Sequence, residues 1–322
     1  MADTNIDWAD KVWNPVTGCT KISEGCRNCY AERMSKRLAG RCGYLKDNPF
    51  AVTLHPEKLE EPLKWKKPQK IFVCSMGDLF HEKVPVDMIR SIFWTMLRCP
   101  QHRFLLLTKR PERAAEYFQE LTRGDHRNVP KNIWFGVTVE NQQAADERIP
   151  LLLHIPAAKR FISIEPMVGP VDIDRLAVID GEPSNGTISG YLLDGLTGEA
   201  WDHENGYLSE ASEVKGIGWV ILGGETGPKA SPLHPDWVRS VRDQCQAAGV
   251  PFFFKQWGEW AEVKTGGVLN KDICMSVDGF IDTADKNYVC FANESDGVHL
   301  RRVGKKAAGH LLDGKEYREL PE

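Results

Sequence analysis

The fold is decided by KIFVCS (70–75), RFLLLT (103–108), NIWFGVTV (132–139) and RFISIE (160–165). Nearly continuous apolar runs of this length are typical of strands that are buried on both faces of a sheet. Between the first two lies VDMIRSIFWTMLRC (86–99), whose apolar residues form one helical stripe. Strands that alternate with helices predict βαβ units and a parallel sheet.

The same alternation continues on both sides of this stretch. Further strands are predicted at VWNPVT (12–17), GWVILGG (218–224) and PFFFKQ (251–256). Helices are predicted to begin at Pro111, Asn141 and His234. The predicted fold class is α/β, in the form of a partial (β/α)6-type, TIM-like barrel of parallel strands. An open doubly wound sheet is the alternative, because the pattern does not decide whether the sheet closes.

Two segments depart from the alternation. Residues 171–215 carry ten acidic residues against Arg175 and Lys215 and are interpreted as an acidic insertion between strands. Residues 259–322 lack a clear βα pattern and are interpreted as a C-terminal extension. The predicted domains are therefore 1–258, the barrel with its insertion, and 259–322.

The composition is typical of a soluble globular protein, with 42% hydrophobic and 27% charged residues among 322. We expect a cytoplasmic protein, because the N-terminus is polar and no apolar run reaches the roughly 20 residues that span a bilayer. The net charge of −4 argues against a strongly basic nucleic-acid binder but leaves room for a local basic surface. The nine cysteines are expected to be thiols or metal ligands rather than disulfides.

Four cysteines lie in the first 42 residues, and three of them form Gly18-Cys19-x6-Cys26-x2-Cys29-Tyr30 before a helix-like run. Three thiolates suit a [4Fe–4S] cluster in which one iron has no protein ligand. A structural zinc site is the alternative, because Cys42 is near enough in sequence to complete a set of four cysteine ligands. The aromatic residue and helix after the third cysteine favour the cluster.

Polar residues at the ends of the predicted strands are candidates for chemistry, because barrel enzymes place their sites there. Lys109 is expected to pair with an anionic group and Glu165 to orient a substrate or relay a proton. Lys255 follows three phenylalanines, and burial at this position would suit proton or anion handling. Gly223 and Gly224 would let a ligand approach the backbone closely.

The chain resembles the radical SAM superfamily, whose usual motif is C-x3-C-x2-C followed by an aromatic residue. It looks most like a family of radical-SAM-like proteins of phages and bacteria with a longer first gap, encoded beside three-Cys-motif partner proteins. The resemblance is carried by WNPVTGCTKISEGCRNCYAERM, VCSMGDLFHEKVP, LLLTKRPER, WFGVTVENQ, SIEPMVGPV, ILGGETGP, FFFKQWGEW and GKKAAGHLLDG.

This resemblance implies that the cluster binds S-adenosylmethionine (SAM) and cleaves it to a 5′-deoxyadenosyl radical that abstracts hydrogen from a substrate. It implies that Asp78 holds the SAM amine and that Thr138 and Glu140 hold the ribose. The predicted cluster ligands are Cys19, Cys26 and Cys29, and the predicted catalytic residues are Lys255 and Glu165. The predicted cofactor-binding residues are Tyr30, Ser75, Asp78, Lys109, Thr138, Glu140, Ser163, Gly223 and Gly224.

The expected partners are an external electron donor of the flavodoxin or ferredoxin type, a possible partner protein, and no membrane. Phage association makes a modified nucleobase or nucleotide in DNA the leading substrate, whether the reaction is an isomerisation, a bond cleavage or a modification. One alternative is a non-enzymatic Fe–S or zinc protein that binds a partner or nucleic acid. Another is a zinc-stabilised hydrolase on a TIM-like barrel.

Overall fold

The structure is a computed structural model of the full chain. It describes residues 4, 6–122, 130–179, 190–202, 206–207, 216–263, 272–283 and 297–322. The chain divides into two compact units. The first comprises Met1–Thr138 and Arg148–Ser163, and the second comprises Val139–Glu147 and Ile164–Glu322.

The first unit contains the strands that precede the acidic segment and the helices between them. Its strands are β1 (Lys11–Trp13), β2 (Val16–Thr17), β3 (Thr53–Leu54), β4 (Lys70–Val73), β5 (Arg103–Thr108), β6 (Ile133–Thr138) and β7 (Lys159–Ile164, whose last residue falls in the second unit). Its helices are α1 (Tyr30–Leu38), α2 (Val86–Leu97) and α3 (Pro111–Thr122), and α4 (Gln142–His154) has residues in both units.

The second unit contains two further parallel strands and two antiparallel sheets. Its strands are β8 (Leu176–Ile179), β9 (Gly190–Leu193), β10 (Ala200–Asp202), β11 (Gly206–Tyr207), β12 (Val220–Gly223), β13 (Phe252–Gln256), β14 (Trp260–Glu262), β15 (Ile273–Ser276), β16 (Ile281–Thr283) and β17 (Gly297–Arg302). Its remaining helices are α5 (Pro235–Ala247) and α6 (Lys305–Ala308).

Seven strands form the main sheet, in the order β1-β4-β5-β6-β7-β12-β13, and every pairing described in it is parallel. Each predicted apolar run therefore contains a strand, and the predicted alternation of strands and helices is confirmed. The one predicted strand over 12–17 is wrong, because Asn14 and Pro15 separate β1 from β2. Proline has no N–H to donate to a ladder, and β2 pairs antiparallel with β3 instead.

Aromatic side chains pack α2 and α3 onto the sheet of the first unit. Phe118 of α3 contacts Phe135 of β6 and Phe93 of α2, each with ring centroids 5.3 Å apart. Phe80, which follows β4, contacts Phe135 at 5.6 Å, edge to face. These rings are almost fully buried, and their edge-to-face geometry adds to the free energy gained from burial alone.

The acidic segment 171–215 carries the sheet β11-β10-β9-β8 in its described part, and the extension beyond 259 carries the sheet β14-β17-β15-β16. Cys274 in β15 is disulfide-bonded, so the prediction that the cysteines are not in disulfides is wrong at this position. Single, widely spaced cysteines carry no local sequence signal of pairing. The other described cysteines are free.

No described helix is long and apolar enough to cross a membrane. The longest in this part of the chain, α4 and α5, have 13 residues each, whereas a spanning helix needs roughly 20.

Gly18 fixes the backbone where the cysteine motif begins. Its φ of +81° lies in the left-handed region, and a Cβ at this position would lie 2.1 Å from the carbonyl oxygen of Ala51. Its N–H donates to Met76 O at 2.9 Å, which ties the motif to the segment after β4. Only glycine accommodates both the backbone angle and the close approach.

We expect Gly18→Ala to destabilise the first unit more than Gly40→Ala. Both glycines have positive φ, which costs alanine about 1–2 kcal/mol. A Cβ at Gly40 would meet only Lys46 side-chain atoms at 3.7 and 3.8 Å, whereas Gly18→Ala adds a backbone clash worth about 1–3 kcal/mol more. Urea unfolding followed by circular dichroism measures the difference, and equal losses would contradict this account.

Candidate functional site

The three motif cysteines lie on one loop of the first unit. Cys19 follows β2, Cys26 ends a 3-10 turn (Glu24–Cys26), and Cys29 directly precedes α1. All three side chains are partly exposed. Among the described residues, no three His, Cys, Asp or Glu side chains are already grouped closely enough to hold a metal ion. The loop supplies the donor atoms but not a preformed cage.

Arg110 connects this loop to the end of the sheet. Its Nη1 donates to Cys19 Sγ at 3.4 Å and to Asp78 Oδ2 at 3.1 Å. Its Nη2 donates to Thr20 Oγ1 at 2.9 Å and to Thr20 O at 3.3 Å. The side chains of Arg110 and Asp78 are 10% and 8% exposed, so this is a buried ion pair. A single guanidinium therefore joins segments that follow β2, β4 and β5.

His81 holds the same loop from a second direction. Its Nδ1 accepts a hydrogen bond from Lys83 N, so the neutral ring carries its proton on Nε2 and donates to Thr20 Oγ1 at 2.9 Å. Burial, together with the positive charge of Arg110, lowers the pKa of His81. The ring is therefore neutral at pH 7 and acts as an oriented donor.

Lys109 brings a second positive charge to the loop, beside Cys26. Its Nζ donates to Ser23 Oγ at 3.2 Å, and Ser23 Oγ lies 3.5 Å from Cys26 Sγ. Burial alone would raise the pKa of Cys26, but the charge of Lys109 and hydrogen bonds from the loop lower it below its usual value. At Cys19, burial and the charge of Asp78 raise the pKa to about 11 despite Arg110. The two thiols thus differ in how readily they ionise.

Asp78 is fully engaged by the protein. Its Oδ1 accepts from Phe80 N at 3.0 Å and from Thr108 Oγ1 at 2.7 Å. Its Oδ2 accepts from Lys109 N at 3.3 Å in addition to Arg110. Two carboxylate oxygens thus receive four hydrogen bonds. The predicted contact with the SAM amine would require one of these donors to leave, and the geometry instead makes Asp78 the residue that positions Arg110.

Two other predicted cofactor residues lie in the same unit near the loop. Ser75 Oγ donates to Asn14 Oδ1 at 3.2 Å, and Met76 N donates to the same oxygen at 3.1 Å. Tyr30 is the first residue of α1, and its side chain is 60% exposed. Ser75 therefore joins the segments after β1 and β4, whereas Tyr30 is accessible to a ligand.

Three further predicted cofactor residues are buried. Thr138 and Ser163 are paired in register at the ends of β6 and β7, and they are 5% and 3% exposed. Glu140, in the second unit, is 1% exposed. The sequence pattern predicted polar side chains at strand ends correctly, but these side chains do not reach solvent in this structure.

The second unit brings together the two predicted catalytic residues and both glycines. Lys255 Nζ lies 2.8 Å from Glu165 Oε1 and donates to Oε2 at 3.1 Å. A Cβ on Gly223 would lie 3.3 Å from Glu165 Cδ and 3.4 Å from Lys255 Cβ, so this glycine leaves room for the ion pair. A Cβ on Gly224 would lie 2.0 Å from Trp257 O. The protein backbone therefore already requires Gly224, whatever ligand binds nearby.

Thr20, His81 and Arg110 are not among the site residues that the sequence predicts. The available signal was position, since Arg110 follows Lys109 at the end of β5 and adjacent residues point in different directions. His81 lies three residues beyond Asp78 in a turn, and nothing in the local pattern marks its contact with Thr20.

The donor chemistry of the loop fits an iron–sulfur cluster. Cysteine thiolates are the usual ligands of such clusters, and three partly exposed cysteines lie within eleven residues of one loop. Arg110 and Lys109 lie next to the segments that carry Cys19 and Cys26, where positive charge offsets that of thiolates. Cys42, the rival fourth ligand, is exposed beyond α1.

We expect Asp78→Asn to lower the free energy of unfolding by up to about 3–5 kcal/mol, because it removes the buried one of the two carboxylates that pair with Arg110. Glu82, whose Oε2 lies 3.4 Å from Arg110 Nε, remains, but its side chain is 61% exposed. The double variant Asp78→Asn/Arg110→Gln should lose less than the sum of the two single changes, since the residues contact each other. Urea unfolding of all four proteins measures this coupling.

Asp87→Asn is the matched control, since Asp87 pairs with Arg90 on the surface at 3.1 Å and its side chain is 91% exposed. Exposed pairs contribute little to stability because water screens them, so this variant should unfold almost like the original protein. Equal effects of Asp78→Asn and Asp87→Asn would show that the buried pair does not organise the loop.

A family model described as "Protein of unknown function (DUF5131)" matches residues 3–321. No curated protein and no solved structure matches the chain. Because the family model covers nearly the whole sequence, the chain belongs to the DUF5131 family.

Proposed function

We propose that this protein is a radical SAM enzyme in which Cys19, Cys26 and Cys29 hold a [4Fe–4S] cluster. The observation that carries the proposal is the loop of three accessible cysteines flanked by Arg110 and Lys109. The resemblance of the sequence to radical SAM proteins supports it independently. With the proposal goes the finer fold, in which the parallel strands curve into a partial (β/α)6, TIM-like barrel.

When bound, such a cluster would supply one electron for the reductive cleavage of SAM. The protein's own residues would hold and orient this chemistry. Arg110, fixed by Asp78, would place the Cys19 end of the loop, and His81 would keep Thr20 in position. Lys109 would favour the thiolate form of Cys26 through its charge. Tyr30 would offer an accessible aromatic face next to Cys29.

Glu165 and Lys255 are the proposed catalytic residues. Their ion pair is partly buried, with side chains 24% and 17% exposed, so it is shielded from bulk water without being closed off. Lys255 keeps Glu165 oriented, and a substrate group that displaces one partner would find the other placed to donate or accept a proton. Gly223 maintains the space in which this exchange would take place.

The proposal includes a flavodoxin- or ferredoxin-type electron donor. It also includes a modified nucleobase or nucleotide in phage DNA as substrate, and a partner protein encoded nearby. These three elements rest on the resemblance to radical SAM proteins and on the genetic neighbourhood of that family, not on particular residues of this chain. The cysteine loop itself is the part that experiment can address first.

We expect the anaerobically reconstituted protein to bind iron and sulfide, to absorb broadly in the visible range, and to form 5′-deoxyadenosine from SAM in the presence of dithionite. Cys19→Ala, Cys26→Ala and Cys29→Ala should each abolish 5′-deoxyadenosine formation, because three thiolates are needed to hold the cluster. Iron analysis and chromatographic detection of 5′-deoxyadenosine measure both properties.

Cys42→Ala is the matched control and should keep both iron and activity. If Cys42→Ala loses the metal, four cysteines bind it and a closed zinc site is the better interpretation. If the original protein binds iron through the three cysteines but forms no 5′-deoxyadenosine from SAM, the result would instead support the non-enzymatic Fe–S alternative.

A further inference from the structure

Most parallel strands of the first unit start with a lysine or an arginine. Lys11, Lys70, Arg103 and Lys159 are the first residues of β1, β4, β5 and β7, and Lys131 lies two residues before β6. Lys70 and Arg103 are register partners on neighbouring strands. Because the strands are parallel, these residues lie along one edge of the sheet, the amino-terminal edge.

A cleft of about 470 Å³ opens at this edge. Lys70, Arg103, Lys131, His102 and Asp10 are among the residues that line it. Sites for small molecules and cofactors usually measure about 300–1,000 Å³, so the cleft is large enough for a ligand of that class.

The positive charges of the cleft have no carboxylate partners within the described residues. No ion pair of that part of the chain includes Lys70, Arg103 or Lys131. Asp10 is the acidic residue in the lining, and its Oδ2 accepts from the main-chain N–H of Lys70 at 2.7 Å. Three cations thus face one carboxylate, which leaves the cleft positively charged.

Arg103 is held in place by stacking. Its guanidinium carbon lies 4.2 Å from the centre of the Trp134 ring, and Lys159 Nζ lies 5.0 Å from the same ring. The cation–π contact orients Arg103 without neutralising its charge. Less conformational entropy is then lost when the guanidinium binds an anion.

His102 adds an unused polar atom to the lining. The residue is 1% exposed, and its Nε2 lies 3.1 Å from Pro62 O and 3.4 Å from Gln101 Nε2. The shorter contact is to a carbonyl oxygen, which can only accept, so we assign the proton of the neutral ring to Nε2. The other nitrogen, Nδ1, is therefore an acceptor in the neutral ring, and it has no hydrogen-bond partner in the structure. A buried acceptor without a donor is uncommon, and a ligand hydroxyl or amino group would satisfy it.

The net charge of the whole first unit is positive, like that of the cleft. It contains 26 Lys and Arg against 16 Asp and Glu, a net charge of +10. The second unit contains 15 against 29, a net charge of −14. The overall charge of −4 hides this division, and the positive field of the first unit would attract a polyanion to its surface.

We propose that the amino-terminal edge of the sheet binds the phosphate groups of a nucleotide, either free or within a nucleic-acid strand. Arg103 and the two lysines bind the phosphate, the arginine through its planar fork and the lysines as point charges. His102 Nδ1 accepts from the nucleoside. The cleft thus offers three positive side chains for a phosphate and one hydrogen-bond acceptor for the rest of the nucleotide, in a volume that suits such a ligand.

This ligand site is distinct from the cysteine loop and does not depend on the proposed cluster. Arg103 begins β5 and Arg110 follows its end, so about 20 Å of extended chain separates the two residues. A nucleic-acid strand bound at the amino-terminal edge of the sheet would therefore be held away from the cysteines and would not itself be positioned for reaction at them.

The test measures binding of a fluorescein-labelled single-stranded oligonucleotide and a labelled mononucleotide by fluorescence anisotropy at several salt concentrations. The protein is used without a cluster, so failure of the proposed enzyme activity does not affect the result. We expect Lys70→Gln/Lys131→Gln to weaken oligonucleotide binding roughly tenfold or more. The slope of log affinity against log salt should fall by about 1.4, since each single-strand phosphate contact contributes about 0.7.

Lys305→Gln/Lys306→Gln is the matched control, because it removes two exposed lysines from α6 of the second unit. It should bind both probes like the original protein. Oligonucleotide binding much tighter than mononucleotide binding identifies a strand as the ligand, and equal binding identifies a free nucleotide; either result supports the site. Equal losses in the two double variants, or no binding of either probe by the original protein, would overturn it.

Discussion

The buried ion pair between Asp78 and Arg110 is the interaction on which the arrangement of the first unit's loops depends. Desolvating two charges is costly, and it is offset here because the carboxylate accepts four hydrogen bonds and the guanidinium donates to both Asp78 and the cysteine loop. The pair therefore contributes little net stability, but it fixes the position of the cysteine loop relative to the ends of β4 and β5. Because Arg110 donates to Cys19 Sγ, it also determines where a ligand of Cys19 would lie.

The predicted site residues fall into three groups once their surroundings are known. The cysteines and Tyr30 are accessible, and Glu165 and Lys255 form a partly shielded pair. Thr138, Glu140 and Ser163 are buried, and Asp78 and Gly224 are already required by protein contacts. A polar residue at a strand end is therefore a weak indication of ligand contact, because the same position also suits residues that fasten loops to the sheet.

The sheet could be predicted from the sequence because burial on both faces leaves a local signature. RFLLLT coincides with β5 residue for residue, and Pro15 is the only place where a predicted strand divides. Contacts between distant segments could not be predicted in this way. Arg110 meets Cys19 across 91 residues, and no spacing rule connects them. The opposite net charges of the two units could not be predicted for a similar reason, since the boundaries of the units are known only from the fold.

The separation of 91 residues between Arg110 and Cys19 has a consequence for the newly made chain. At about 5–20 residues per second, a ribosome needs roughly 5 to 18 seconds to synthesise Arg110 after Cys19. During that interval the thiols of the motif leave the ribosome without the guanidinium that will orient them. For the proposed cluster, this means that assembly on an organised loop is expected only after β4 and β5 have folded. The order of translation thus delays the organisation of the cysteine loop until the chain has been made at least as far as Arg110.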